Sequence, residues 1–407
     1  MLQFAPSKAE PDKGNAGNAR ERENREQKRE REIAMADQKV DQNDVYWKLC
    51  DQINKLGFGF DHTPEQYELS LFRRFYTPEE AQWSLEMPLD CFFTAAEFAE
   101  RTGRTVQEAQ RICEGMAMQG QIYREIRDRT AYYRVQPMIA GIWEAHIKLM
   151  QDDIDADRKD WIVDENQHIA KRWAQQWYNE VDIPPFRSVP VHTELVNSNE
   201  MLAVDDARAI IRSKKLIAVC QCLCRTNTAA MGGYDDPDKM TCLSFDEYAE
   251  YYLSIGTGVQ LTTEECIALL ERKVKEGCCI HVENVTNVPI MCFCNSNVCA
   301  LLQAKRLFPG PAMHNVTHYE IVIDEDKCLG DGGCLEVCPA GSASIDPETG
   351  KIHHDDQCLS CGQCVSRCPT GALTMRLKPR EQRPDLPNDL WDMYETMEAQ
   401  RKANGCL

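Results

Sequence analysis

No run of this sequence approaches the roughly 20 consecutive apolar residues that a membrane-crossing helix needs, so no span is expected. Residues 1–8 lack an apolar core and a cleavage signature, so a secretory signal is not expected either. Positive charge is scarce: 46 Lys and Arg stand against 65 Asp and Glu, for a formal net charge of −19. Such a chain is a poor generic partner for nucleic acid or an anionic membrane. Also missing are a P-loop, a metal-hydrolase motif and a nucleophile elbow. Gly256-Thr257-Gly258 is a lone G-x-G outside any strand–helix context and reads as loop. Flavin or nicotinamide binding within the chain is therefore not expected, nor is an independent catalytic centre.

Cysteine is what the sequence has in excess, with 21 in 407 residues. A disulfide scaffold fits short secreted domains, whereas this chain is long enough for two to four domains. The expectation is a cytoplasmic, reduced protein whose cysteines serve metal. Cys406 stands apart from any pattern and reads as a stray thiol.

Composition and local signals divide the chain. Residues 1–40 form a polar tail of alternating charge, a solvated helix or disordered. Residues 41–140 carry three Thr-x-x-Glu capping boxes, at Thr77/Glu80, Thr94/Glu97 and Thr105/Glu108. A β-like pair over 121–127 and 130–135 follows, giving the layout of a winged helix. Its third helix sums to −1 over Glu108, Arg111 and Glu114, which suits packing or protein docking better than DNA. Residues 141–185 read as a helical connector anchored by Trp143, Trp161, Trp173 and Trp177. Residues 186–316 are a cysteine-rich α/β segment, with helices expected over 204–213, 245–253 and 263–275. Residues 317–378 form a repeat module. A Pro-rich linker and terminal helix complete residues 379–407, and the stripe Leu390, Trp391, Tyr394 and Met397 is expected to pack back on its own chain.

The repeat module holds two segments that align thirty positions apart. Cys358, Cys361, Cys364, Cys368 and Pro369 spell C-x2-C-x2-C-x3-C-P. The other segment has Cys328, Cys334, Cys338 and Pro339, but Asp331 where the second cysteine belongs. The module resembles the bacterial dicluster ferredoxins over about 60 residues. The resemblance implies a pseudo-twofold fold with two iron–sulfur clusters and crossed ligation, the fourth cysteine of each run serving the other cluster. Cluster A would then take Cys358, Cys361, Cys364 and Cys338. Cluster B would take Cys328, Cys334 and Cys368, with Asp331 facing the fourth iron. A carboxylate suits iron–sulfur chemistry less well than thiolate, so cluster B is expected as 3Fe–4S or as 4Fe–4S with oxygen ligation. His353 and His354 read as exposed hairpin polarity.

The middle segment holds further thiols. Residues 216–220 alternate like a strand, and if the strand continues, Cys220, Cys222 and Cys224 share one face. Cys242, Cys278 and Cys279 follow, then Cys292, Cys294 and Cys299. Together with Arg225, the ferredoxin runs and the winged-helix-like region, this arrangement is similar to a family of iron–sulfur proteins of anaerobic bacteria. The later run is sparser here than in that family. Cys220, Cys222, Cys224, Cys242, Cys292, Cys294 and Cys299 are therefore a candidate third site, for which an iron–sulfur cluster, zinc and buried free thiols all stay open.

The fold class expected is multidomain α+β: a winged-helix-like helical domain, a cysteine-rich α/β middle domain and a C-terminal 2×4Fe–4S ferredoxin fold. The function expected is an electron-transfer protein or subunit that relays electrons between a partner oxidoreductase and its clusters. Two other readings stay open: a redox-sensing transcription regulator that uses the winged helix, and a component of a larger reductase with a metal site in the middle domain.

Overall fold

Thr77, Thr94 and Thr262 each accept the backbone N–H three residues on, while Glu80, Glu97 and Glu265 reach back to the threonine N–H. Helices Pro78–Glu86, Ala95–Thr102 and Thr263–Lys275 thus begin on complete capping boxes. The third expected box is half made: Thr105 caps helix Val106–Met118 by accepting the Glu108 N–H. In this computed structural model, residues 41–192, 201–307 and 317–407 are described. The charged tail expected over residues 1–40 lies outside them.

Two helices, Val45–Ile53 and Tyr67–Phe75, precede the capping-box series. After it, β1 (Tyr123–Arg127) and β2 (Thr130–Arg134) pair as the expected antiparallel hairpin. Helices Ile147–Asp155 and Asp160–His168 follow, the latter running on to Asn179. Trp143, Trp161 and Trp173 are buried in one apolar core that also contains Phe58, Phe72, Ile112 and Tyr133. The terminal helix Leu390–Ala403 completes this core, burying Leu390, Tyr394 and Met397. Its Arg401 is fully buried, bonded to Glu180 and to Asn54. The stripe at the chain's end therefore packs on its own chain.

The middle segment forms a six-stranded sheet in the order β3-β7-β8-β5-β4-β6. Its strands are β3 (Phe186–Val189), β4 (Ile217–Gln221), β5 (Met240–Phe245), β6 (Gly258–Gln260), β7 (Cys279–Glu283) and β8 (Ile290–Cys294). Neighbouring strands are antiparallel, so residues paired across the ladder point to the same side. Val219, Leu243, Met291, Phe293, Ile280 and Val282 make one side apolar, apart from the buried Arg187 that pairs with Val282 on the edge strand. The other side is of another chemistry. Cys220 pairs with Cys242, Cys242 with Cys292, Cys292 with His281, and Cys294 with Cys279. The pleat thus separates an apolar face from a thiol face, and the thiol face lies against the helical core.

One sequence expectation fails here. The strand does not carry three thiols on one face, because it ends at Gln221. The Cys222 N–H bonds the Lys239 carbonyl, and the Cys222 carbonyl accepts the Thr226 N–H, which starts helix Leu223–Ala230. Cys220 stays on the sheet, while Cys222 and Cys224 sit at a helix start.

In the C-terminal module β9 (Tyr319–Ile323) pairs with β12 (Leu373–Leu377), and β10 (Ala343–Ile345) pairs with β11 (Ile352–His354). Gly332 and Gly362, equivalent in the repeat, both take left-handed φ (78° and 87°) and open short helices at Gly333 and Gln363. An L side chain is disfavoured there, and both halves meet the need with glycine. The module docks on the sheet domain through its second cysteine run. The Val191 N–H bonds the Cys361 carbonyl (2.8 Å), Ser296 N–H bonds the Pro339 carbonyl (3.0 Å), and Gln363 Nε2 donates to the Val274 and Cys278 carbonyls (both 2.8 Å). Leu359 and Cys361 belong to the sheet domain's apolar core.

Candidate metal centres

Three thiol-lined cavities lie along the chain's interior. In the C-terminal module one is lined by Cys338, Cys358, Cys361 and Cys364. The other is lined by Cys328, Asp331, Cys334 and Cys368. Each cavity thus draws its last thiol from the opposite half of the repeat. The two differ in setting. Cys361 is 7% exposed and packed against the sheet domain. Asp331, its repeat equivalent, is exposed, and Leu329 beside it is 73% exposed. An aspartate is cheap at the wet cavity and would be costly at the dry one, where an unpaired charge would be buried.

Polar groups aim at the thiols of the first cavity. The Ser360 N–H donates to Cys358 Sγ (3.4 Å), and Ser342 Oγ lies 3.5 Å from Cys338 Sγ. His354 lines the same cavity, its Nε2 is buried without a partner among the described residues, and burial pushes its pKa down. The reading of His353 and His354 as surface polarity therefore holds for His353 alone, which is exposed. Alternation along β11 sends the two side chains to opposite sides. With a cluster bound in this cavity, a neutral imidazole N–H in its lining would favour the cluster's more negative, reduced state. Replacing His354 by Leu should therefore lower the potential there by roughly 40 mV, the equivalent of one hydrogen bond of about 1 kcal/mol. A redox titration followed by EPR checks this.

The third cavity, about 80 Å³, lies between the thiol face of the sheet and the helical core. All seven candidate thiols, Cys220, Cys222, Cys224, Cys242, Cys292, Cys294 and Cys299, line it. Six of them act on one another electrostatically as one string of neighbours, in the order Cys222, Cys224, Cys299, Cys294, Cys292, Cys242. Cys220 is off the string, and burial pushes its thiol up to about 12. Cys242 and Cys294 hold Cys292 well below the ordinary thiol range. Cys224 and Cys294 do the same for Cys299. Trp143, Trp173, Phe186 and Tyr252 make the opposite wall.

Two charged groups serve this cavity. Arg225, only 1% exposed, is the arginine that follows the C-x-C pair. It bonds Asp236 (2.8 Å), Thr241 (2.9 Å) and Cys278 Sγ (3.7 Å). Burial opposes its charge, but the thiols of Cys222 and Cys278 with Asp236 outweigh that and hold it above the usual arginine range. Glu144 lines the apolar wall, accepts the Gly141 N–H (2.7 Å) and is pushed up to about 7 by burial. Sequence reasoning missed Glu144 because nothing in its neighbourhood of Ile142, Trp143 and Ala145 marks it as more than a helical residue. Cys279 pairs with Cys294 across the ladder and shares the sheet domain's core with Cys361. Besides burial, its thiol is pushed up by Cys361 on one side and Cys299 on the other.

Residues 320–381 match the 4Fe-4S dicluster domain family. No curated protein and no solved structure matches the chain.

Proposed function

We propose that this chain, whose residues 320–381 match a 4Fe-4S dicluster domain, is an electron-transfer protein or subunit with three iron–sulfur centres in series. The observation that carries this reading is the shared packing of the thiol cavities: Cys299 of the central cavity and Cys361 of the docked half of the module belong with Cys279 to one core cluster. Beyond Cys361 lies the cavity of Cys328, Cys334, Cys368 and Asp331, which opens at the surface. When bound, the clusters supply reversible one-electron storage at potentials set by charge, hydrogen bonds and exposure. Cys338, Cys358, Cys361 and Cys364 would hold cluster A; Cys328, Cys334 and Cys368, with Asp331, would hold cluster B.

The donor set of the central cavity favours a polynuclear centre over zinc. A tetrahedral zinc site needs thiols within about 3.8 Å of one another, given Zn–S of about 2.3 Å. Among the described residues no three of the central thiols lie within 4.8 Å of one another. They form a string along a cavity wall instead of a clamp around one ion. Arg225 supports the reading by placing a cation beside buried thiolates. Trp143, Trp173, Phe186 and Tyr252 make the wall facing the thiols largely apolar.

The outward face of the second cavity is the surface for a redox partner protein. Cys361 is sealed against the sheet domain, whereas Leu329 and Asp331 meet solvent. The rival reading, a DNA-binding regulator, loses support from the hairpin. Its Arg124, Arg127 and Arg134 are engaged with Glu114, Glu125 and Glu395 and are poorly placed to neutralise phosphates. No described helix is long and apolar enough to cross a membrane.

A potentiometric titration followed by EPR tests the order of the centres. Cluster B, with a carboxylate in place of one thiolate, should titrate above cluster A and act as the electron sink of the pair. Cluster B titrating below cluster A would overturn that order.

A further inference from the structure

Outside the three thiol cavities, the N-terminal helical region gathers a thiol, an imidazole and a carboxylate that the electron-transfer reading does not use. Cys50 lies on helix Val45–Ile53, His62 on the loop that follows, and Glu68 on the first turn of helix Tyr67–Phe75. One ligand atom from each lies within 4.8 Å of those of the other two, and no other described trio of such residues does this. Cys50 and Glu68 are fully buried, while the His62 side chain retains 14% exposure.

The surroundings are arranged as a metal site requires. His62 Nε2 faces Asp51 Oδ1 (3.0 Å), and Nδ1 faces Glu68 Oε1 (2.9 Å). The carboxylate on the outer nitrogen fixes the ring, and the inner nitrogen takes a cation once the hydrogen it shares with Glu68 has left. The ring is held flat by Trp47, stacked at 3.4 Å with 7° between planes. Glu68 Oε2 accepts the Thr63 N–H (3.1 Å) and Thr63 Oγ1–H (2.7 Å), which leaves Oε1 turned to His62 and Cys50. Cys50 donates its thiol hydrogen to the Phe60 carbonyl (3.3 Å). Its thiol is pushed up by burial and then by the charges of Glu68, Asp61 and Asp51. Arg172 is taken up by Asp61 and Glu180. The pocket is therefore rich in electron-pair donors, and the positive charge in it is that of His62, which, against burial, the Glu68 and Asp51 carboxylates hold above the ordinary imidazole range.

We propose that Cys50, His62 and Glu68 bind one divalent zinc ion, with water in the fourth position and Asp51 and Thr63 as the groups that orient the ligands. Thiolate, imidazole nitrogen and carboxylate oxygen form a mixed set that zinc accepts at about 2.0–2.3 Å. On binding, Cys50 and His62 Nδ1 each lose a proton to solvent, while His62 Nε2 keeps the hydrogen it donates to Asp51. The His62–Glu68 contact opens by a few tenths of an ångström, about the separation of ligands at a tetrahedral ion. Thiolate–imidazole–carboxylate sets also suit zinc better than magnesium or calcium, which prefer all-oxygen shells. The ion would tie both helices to the loop between them.

The full-length protein, purified without oxygen from zinc-supplemented cells and dialysed, is measured for zinc and iron by mass spectrometry and for the zinc shell by X-ray absorption. One zinc per chain is expected, with one sulfur and three nitrogen or oxygen neighbours. His62→Gln should cut bound zinc at least tenfold while the iron count stays unchanged, and the iron count reports that the chain has folded. Asp51→Asn, at a half-exposed position, should weaken zinc binding roughly tenfold or more. Absence of zinc from the unaltered protein, a shell of four sulfurs, or full zinc retention in His62→Gln would each overturn the proposal.

Discussion

Replacing Asp331 by cysteine should add one iron per chain and convert cluster B into an ordinary 4Fe–4S centre. In EPR the signal of an oxidised three-iron centre should disappear, and a reduced four-iron signal should take its place. The expectation follows from the repeat. Thirty positions on, Cys361 lines the cavity formed with Cys338, Cys358 and Cys364, and Asp331 lines the equivalent cavity with Cys328, Cys334 and Cys368. A thiolate at that position completes a four-sulfur set, whereas a carboxylate binds iron in such a set less tightly. The backbone should accept the change, since Cys361 already occupies the same place in the other half. The Asp331 side chain is exposed, and its hydrogen bond to the Gly333 N–H is long at 3.4 Å. Folding should therefore hardly change, and the readout reports on the centre alone. An unchanged spectrum and iron count would mean that residue 331 has no part in cluster B.

Replacing Arg225 by glutamine should strongly destabilise the sheet domain while sparing every cysteine. The guanidinium is buried and joined to Asp236 and Thr241 while facing Cys222 and Cys278. Removing one partner of a buried ion pair leaves the other charge uncompensated, at a cost of about 3–5 kcal/mol. Here the loss falls on Asp236 and on thiolates together. Denaturant unfolding should show the destabilisation, and any central centre that survives should titrate at a lower potential, because a nearby cation favours the reduced state. Arg225→Lys keeps the charge but loses the fork that reaches Asp236 and Thr241 at once, so it should rescue the potential more than the stability. Wild-type stability in Arg225→Gln would show that the guanidinium does not neutralise the cavity.

Much of the fold could be read where a local rule dominates. Thr77 with Glu80 and Thr94 with Glu97 announce helices because the box satisfies backbone N–H groups using residues three apart. The two-residue turn between β1 and β2, and the thirty-residue repeat, are likewise local patterns. Helices Val45–Ile53 and Tyr67–Phe75 gave no such signal. The first is capped by Asp44 without a box, and the second follows Gln66 in a left-handed conformation with no side-chain cap.

The candidate sites divide in the same way. The cysteine runs of the C-terminal module carry their spacing in sequence, and each cavity collects the thiols that the crossed pattern names. The central thiols have no common spacing. Their convergence depends on strand register, which pairs Cys220 with Cys242 and Cys242 with Cys292, and on a strand ending at Gln221. Cys50, His62 and Glu68 are further still from a motif, being gathered by two helices and a loop. His354 shows the limit most simply. Next to an exposed histidine of identical chemistry, only the strand's alternation tells which of the two faces the cavity.

Counting iron and acid-labile sulfide in protein purified without oxygen, with protein mass fixed by amino-acid analysis, tests the three-centre account most directly. About 11–12 irons per chain, with matching sulfide, is the predicted result for two module clusters and a central one. About 7–8 irons per chain, all assigned by EPR to the C-terminal module, would contradict it.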